Sequence, residues 1–408
     1  MLRRGFMTQA AATAGAATLT APAATAAAAK AEDAQRSVGA SLDAALRPYL
    51  SRFNLPALAA AVARRGSVAA SGAVGTRRMG TDIPVSIDDR FHIGSDTKAM
   101  TALLGAMLIE AGKLRWDSKV AESFPELAGT MTPELRGVTL ERLLSHTSGL
   151  PSDNQAFIDV INRSFAQDGL NLDELRYWVI RESSTQPLAS QPGAQFAYSN
   201  LGYTLAGAII ERAGGKTWEE LVSERVFDAL GLRSAGIGPQ ASVGRVDAPL
   251  GHAVRDDGTL KPMLAGPNGD APAVVGPAGT VHLSVLDFAA WAGWNAGEGR
   301  RGPALVRPET IRKLHTQVIV MPPRPDATPG TPVGIGYALG WGLAKLPYVS
   351  EPVLMHAGSN TMNFASILVQ PSQDFAVVMM TNVGGAKAEA AIGQLTEELY
   401  RQYGPSSG

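Results

Sequence analysis

The chain has 408 residues, with 36 Lys and Arg set against 37 Asp and Glu for a formal net charge of −1. That length holds a large core and two lobes within one catalytic unit, while the balanced, scattered charge removes any electrostatic case for nucleic acid or an anionic membrane as partner. With no cysteine in the chain, disulfides and thiolate chemistry are excluded.

From the N-terminus, Arg3-Arg4-Gly5-Phe6-Met7 is a basic twin-arginine start. An Ala- and Thr-rich, weakly apolar stretch follows over residues 10–29, with A-x-A sites near its end. The pattern fits an export signal over residues 1–29, which puts the mature protein in the periplasm or outside the cell. The alternative is a disordered Ala-rich tail. The stretch is too weakly hydrophobic, and too broken by Pro22, to span a bilayer; no later segment is long and apolar enough to do so.

Residues 30–404 read as one domain. Residues 38–53 are helical by pattern. Residues 57–64 and 67–74 form a hairpin around Arg65-Gly66. Residues 99–111 (AMTALLGAMLIEA) are apolar nearly all round, the mark of a helix buried in a large core. Further helical patterns cover 140–144, 172–182, 202–212 and 218–230. Residues 265–279 and 322–332 are Pro/Gly-rich loops. Residues 363–370 and 374–381 are apolar strands separated by Pro371-Ser372-Gln373, and 386–400 is a closing amphipathic helix. The expected fold is α/β (α+β). An antiparallel sheet is built from the two ends (about 38–93 and 275–404) and flanked by helices, with a mostly helical lobe (about 94–274) inserted. A cleft between lobes is the default place for a site.

Ser95-Asp96-Thr97-Lys98 precedes the buried helix. A serine hydroxyl needs a base within hydrogen-bond reach to act as a nucleophile, and residues three apart share a helix face. Burial favours the neutral lysine that a base must be. The alternative is a capping serine with a lysine that reaches solvent. Tyr198-Ser199-Asn200 sits on a loop before a helix near Gly202. A tyrosine there can carry a proton if Lys98 lowers its pKa, and Asn200 can bond Lys98 or a substrate carbonyl; the alternative is a buried tyrosine with a satisfied hydroxyl. His356-Ala357-Gly358-Ser359 lies at the start of the late strand pair. Gly358 lets a substrate backbone approach a strand edge. The amides of Ser359 and Ser95 can form an oxyanion hole, and His356 can donate to a substrate carboxylate or move protons. The alternative is a structural histidine.

In this order and at this wide spacing, Ser95-x-x-Lys98, Tyr198-x-Asn200 and His356-x-Gly358 resemble the three motifs of penicillin-recognising serine hydrolases. The run from Leu143 through Ser145-His146-Thr147 to Pro151, residues 192–211 and residues 276–287 resemble landmarks of the class C β-lactamase-like branch. The resemblance spans about residues 41–400. It implies a β-lactamase/transpeptidase-like fold and a cofactor-free, metal-free mechanism. Ser95 forms an acyl-enzyme, and Lys98 and Tyr198 act together as base and then acid. The Ser95 and Ser359 amides hold the oxyanion, Asn200 orients Lys98 or substrate, and water releases the acyl group.

Two departures from those motifs bear on substrate. The third motif reads Lys-Thr-Gly in class C β-lactamases; His356-Ala357-Gly358 lacks both the cation and the hydroxyl suited to gripping a β-lactam carboxylate. Histidine there is similar to some D,D-carboxypeptidases, D-aminopeptidases and esterases of the superfamily. Residues 359–363 lack the extra glycines common after the motif. The expected activity is D,D-carboxypeptidase-like and penicillin-binding, on a peptide, amide or ester of small size, peptidoglycan-derived fragments included. Alternatives are a carboxylesterase or D-aminopeptidase, a class C-like β-lactamase, and a non-catalytic binder of cell-wall peptides or β-lactams. His146 reads as structural, and His92, His252, His282 and His315 have no metal-ligand spacing. Residues 404–408 match a G-x-S-x-G elbow without the helix it requires. Trp341 reads as core.

Overall fold

The computed structural model describes residues 38–167, 169–266, 269–323, 333–349 and 351–405. The sequence's apolar strands assemble into one sheet of eight: β1 (Ala40–Ser41), β2 (Ala57–Arg64), β3 (Ser67–Gly75), β4 (Val333–Tyr337), β5 (Gly342–Lys345), β6 (Val353–Ser359), β7 (Phe364–Gln370) and β8 (Phe375–Thr381). Their spatial order is β1-β3-β2-β8-β7-β6-β5-β4. Only the β1–β3 pair is parallel. Arg65 and Gly66 both have positive φ (52° and 77°), the conformation of a two-residue turn whose twist matches the strands it joins. β8 bridges the two ends of the chain, pairing Val378 with Ala61 on one side and with Ile367 on the other.

The central strands β2, β7 and β8 are mostly apolar and buried at nearly every position because both faces are covered. Alternate residues serve different cores: Ala59, Ala61, Val378 and Met380 face one, Leu58, Val62, Val377 and Met379 the other. Seven helices matter here: α1 (Asp43–Phe53), α2 (Thr97–Glu110), α3 (Leu140–Leu144), α4 (Leu172–Ser183), α5 (Asn200–Gly214), α6 (Val285–Ala296) and α7 (Ala386–Tyr403). α6 packs on one face of the sheet, α1 and α7 on the other. Ala388, Ala391, Ile392, Leu395 and Leu399 form the buried stripe of α7, spaced as an amphipathic helix requires. α2 is buried from Thr97 to Ala106.

Several expectations shift on inspection. The helix expected over 38–53 begins at Asp43, because residues 40–41 extend the sheet and Leu42 N–H donates to Ser71 O. The pattern over 218–230 is helical throughout but not uniformly α: Trp218–Val222 is α-helical and a π-turn follows at Ser223–Asp228. The loop expected over 265–279 ends in helical turns, Ala273–Val275 and Gly276–Gly279. His356 through Ser359 do not begin the late strand pair; they end a strand of their own, β6, one place further across the sheet. Of the loop at 322–332, residues 324–332 lie outside the described residues, as does the leader expected over 1–29. No helix among the described residues is long and apolar enough to cross a membrane.

Candidate active site

A short strand, Arg90–His92, leads into a 3-10 turn, Gly94–Asp96, that runs directly into α2. Ser95 is half-buried on this turn and Lys98 has no exposure at all. Lys98 Nζ lies 3.1 Å from Ser95 Oγ, 2.7 Å from Asn200 Oδ1 and 2.6 Å from Ala278 O. The amide and carbonyl oxygens only accept, so they take two N–H groups. A neutral amine has two hydrogens and one lone pair, which leaves the lone pair for the Ser95 hydroxyl. Burial favours that neutral form, lowering the Lys98 pKa from 10.5 to about 7 against the pull of Asp153 and Asp96.

Tyr198 completes the cluster. Its phenol lies beside the Ser95 hydroxyl, and Lys98 Nζ stands over its ring, 4.8 Å from the centroid. The sequence expectation that Lys98 depresses the Tyr198 pKa does not hold. Burial dominates and pushes the phenol up, with the Ser95 hydroxyl opposing. Behind it sits His146, whose left-handed backbone (φ 57°) ends the α3 turn. His146 Nδ1 accepts from Ser199 N–H at 3.1 Å, and its ring lies 4.3 Å from that of Tyr198 and 4.8 Å from that of Tyr337. Burial first, then Lys98 and His356, hold the His146 imidazole well below its usual pKa. The structural reading of His146 thus gains content: it is the post against which the Tyr198 loop is built.

Asn200 opens α5. Its Oδ1 accepts from Lys98, while its Nδ2 donates to Asp153 at 2.5 Å and its backbone N–H to the same carboxylate at 3.3 Å. Asp153 thereby fixes which way the Asn200 amide faces.

β6 supplies the opposite wall. Its pleat leaves Ala357 and Ser359 exposed and turns His356 and Gly358 inward. A Cβ on Gly358 would lie 1.8 Å from Ile93 O and 2.7 Å from Ser95 N. The close approach that Gly358 permits is therefore to the chain's own nucleophile turn, where the sequence reading placed a substrate backbone. Likewise, a Cβ on Gly94 would lie 2.4 Å from Ser359 N, so the Ser359 amide lies beside the turn that carries Ser95. The His356 ring is turned inward: Nε2 lies 3.1 Å from Tyr337 OH, and Nδ1 lies 3.0 Å from Ala357 O and 3.4 Å from Asp96 Oδ1. A second imidazole–carboxylate pair flanks the turn on the other side. His92 Nε2 lies 2.9 Å from Asp270 Oδ1, and His92 Nδ1 accepts from Gly94 N–H at 3.0 Å. Trp341 is buried core, edge-on to His315.

Ser95, Tyr198 and Asn200 thus gather around Lys98, with Gly358 and Ser359 against the Ser95 turn. Sequence reading missed Ala278 O, Asp153, Asp96, Tyr337 and the contact of His146 with Tyr198. Only Asp96, inside the motif itself, carried a local signal. A surface cavity of about 870 Å³, lined by Tyr177, Trp178, Lys216 and Glu220 among others, includes none of these residues. Among the described residues no group of three or more His, Asp or Glu is arranged to hold a metal ion.

A sheet flanked by helices, with a serine, a lysine and a tyrosine gathered beside the end of β6, is the framework of a serine hydrolase related to penicillin-binding proteins. The chain belongs to the Beta-lactamase family, whose model matches residues 42–399. It is 28% identical over 316 residues to penicillin-binding protein 4 of Amycolatopsis lactamdurans, covering 77% of each chain. Solved structures share the fold. The octameric penicillin-binding protein homologue from Pyrococcus abyssi has a TM-score of 0.70 at 24% identity, over 88% of this chain and 76% of that one. A D-stereospecific amidohydrolase from Streptomyces has a TM-score of 0.67 at 20% identity, over 89% and 99%. EstCE1, a hydrolase with promiscuous acyltransferase activity, has a TM-score of 0.70 at 19% identity, over 87% and 96%.

Proposed function

We propose that the protein hydrolyses a peptide, amide or ester through an acyl-enzyme on Ser95. The observation that carries this reading is the coordination of Lys98 Nζ, whose two neutral N–H groups are taken by Asn200 Oδ1 and Ala278 O while its lone pair is left for Ser95 Oγ at 3.1 Å. Lys98 accepts the Ser95 proton as Oγ attacks the carbonyl. Tyr198, kept protonated by burial beside Ser95, passes a proton to the leaving group and then helps to deprotonate the incoming water. The Ser95 and Ser359 amides stabilise the oxyanion; in other acyl-transfer enzymes one such donor is worth roughly 3–4 kcal/mol.

On substrate, kinship with a penicillin-binding protein supports the D,D-carboxypeptidase-like reading. A second reading, an amidase or esterase for substrates without a terminal carboxylate, is favoured by β6. Its exposed side chains are Ala357 and Ser359, and the His356 nitrogens are committed inward. Neither exposed side chain of that strand carries a positive charge for a substrate carboxylate, so we place the second reading first. The test compares kcat/KM for a D-amino-acid amide and a short acyl ester with that for a D-Ala-D-Ala-terminated peptide. Faster turnover of the amide or ester supports it, whereas preference for the dipeptide terminus restores the carboxypeptidase. The pattern around Arg3-Arg4 supports export, which fractionation of expressing cells would test.

A further inference from the structure

Asp96 follows the proposed nucleophile directly and has no part in the chemistry above. Its carboxyl is nevertheless fully buried and receives no well-formed hydrogen bond. A carboxylate so placed is strongly unfavourable unless an opposite charge faces it. The group that faces it is His356, with Nδ1 at 3.4 Å.

Hydrogen-bond accounting places one proton on that ring. The neighbours of Nδ1 are Asp96 Oδ1 and, at 3.0 Å, Ala357 O. Both only accept, so Nδ1 carries a hydrogen. Nε2 faces the Tyr337 hydroxyl at 3.1 Å, which is able to accept a second ring hydrogen. With neither Asp96 oxygen holding any other partner, a protonated ring is the counter-charge the geometry offers.

We propose that Asp96 and His356 form a buried carboxylate–imidazolium pair that latches β6 onto the nucleophile turn. Asp96 is in this account a positioning residue: it acts through His356 on the Ser359 amide, three residues further along the same strand. The other titratable groups around the pair are Lys98 on α2, His146 just after α3, Tyr198 on the loop before α5, Tyr203 on α5, and Tyr337 on β4. None of these supplies Asp96 with a hydrogen bond. Burial raises the Asp96 carboxyl to about 6, with His356 opposing, which leaves it ionised at neutral pH. Only the positioning role rests on Ser95 being the nucleophile.

The test is a ring-nitrogen NMR spectrum of the ¹⁵N-histidine-labelled protein at pH 7.5, which needs no substrate. The six histidines are resolved by assigning His356 from its loss in His356→Gln. Two ring N–H groups and imidazolium shifts for His356 in the wild type support the pair; a neutral single tautomer overturns it. Asp96→Asn should convert His356 to a neutral ring and lower kcat about tenfold with KM within about twofold, as expected when a donor is misplaced. An imidazolium that persists in Asp96→Asn, or an unchanged kcat, overturns the positioning role. If that variant fails to fold, the wild-type spectrum still decides the pair.

Discussion

Replacing Lys98 with Met should change how stability depends on pH. Lys98 has no solvent exposure, and burial lowers its pKa from 10.5 to about 7. Between those values the unfolded chain holds a proton that the folded chain has released. Stability therefore rises with pH across that window. Working the linkage through, carrying Lys98 costs the fold about 4 kcal/mol at pH 7 and about 2 kcal/mol at pH 9. Methionine, of similar length, removes this dependence. It also leaves Asn200 Oδ1 and Ala278 O without their donor, a loss of about 1–3 kcal/mol each that is nearly the same at both pH values. The absolute difference at pH 7 is thus small, but wild type should gain about 2 kcal/mol on Lys98→Met between pH 7 and pH 9. Equilibrium urea unfolding of both proteins at the two pH values measures it. A difference between the proteins that does not move with pH would refute burial of a neutralised amine.

Ser95→Ala should abolish turnover while leaving the melting temperature nearly unchanged. Lys98→Ala should be nearly as damaging, with the double variant no worse, because members of such a unit are not additive; steady-state kinetics on the four proteins would check both. The kcat/KM profile should climb as pH rises through about 7, where Lys98 loses its proton; a profile flat from pH 6 to 8.5 would count against Lys98 as base. Tyr198→Phe should cost about 10²–10⁴ in kcat, the usual contribution of a positioned proton donor, measured with a poor leaving group. Gly358→Ala places a methyl 1.8 Å from Ile93 O, so β6 must separate from the Ser95 turn. Hydrolysis should fall at least about a hundredfold, and a fully active variant would show that this contact is dispensable.

What was legible in the sequence was what local periodicity dictates. The hairpin at Arg65-Gly66 was readable because only a few dipeptides make that turn. α2 was readable because its residues are apolar all round, and α7 because its apolar residues recur on one stripe. Ser95 and Lys98 were readable because helical spacing joins them. The rest of the site depends on pairings that no local pattern encodes. Ala278 O is a backbone group 180 residues from Lys98, Asp153 meets Asn200 across 47 residues, and Asp96 meets His356 only through the stacking of β6 on the turn. The pleat of β6 was equally hidden: whether His356 faces substrate or core follows from the strand's register, and a one-residue shift would have reversed it.

The central claim, that Ser95 becomes acylated, is tested most directly by mixing the protein with a p-nitrophenyl acyl ester, quenching in acid within the first turnovers and recording the intact mass. The account predicts a mass increase of one acyl group, carried by the peptide that contains Ser95 and absent from Ser95→Ala, which also releases no nitrophenol. Ester hydrolysis by Ser95→Ala at the wild-type rate would contradict it.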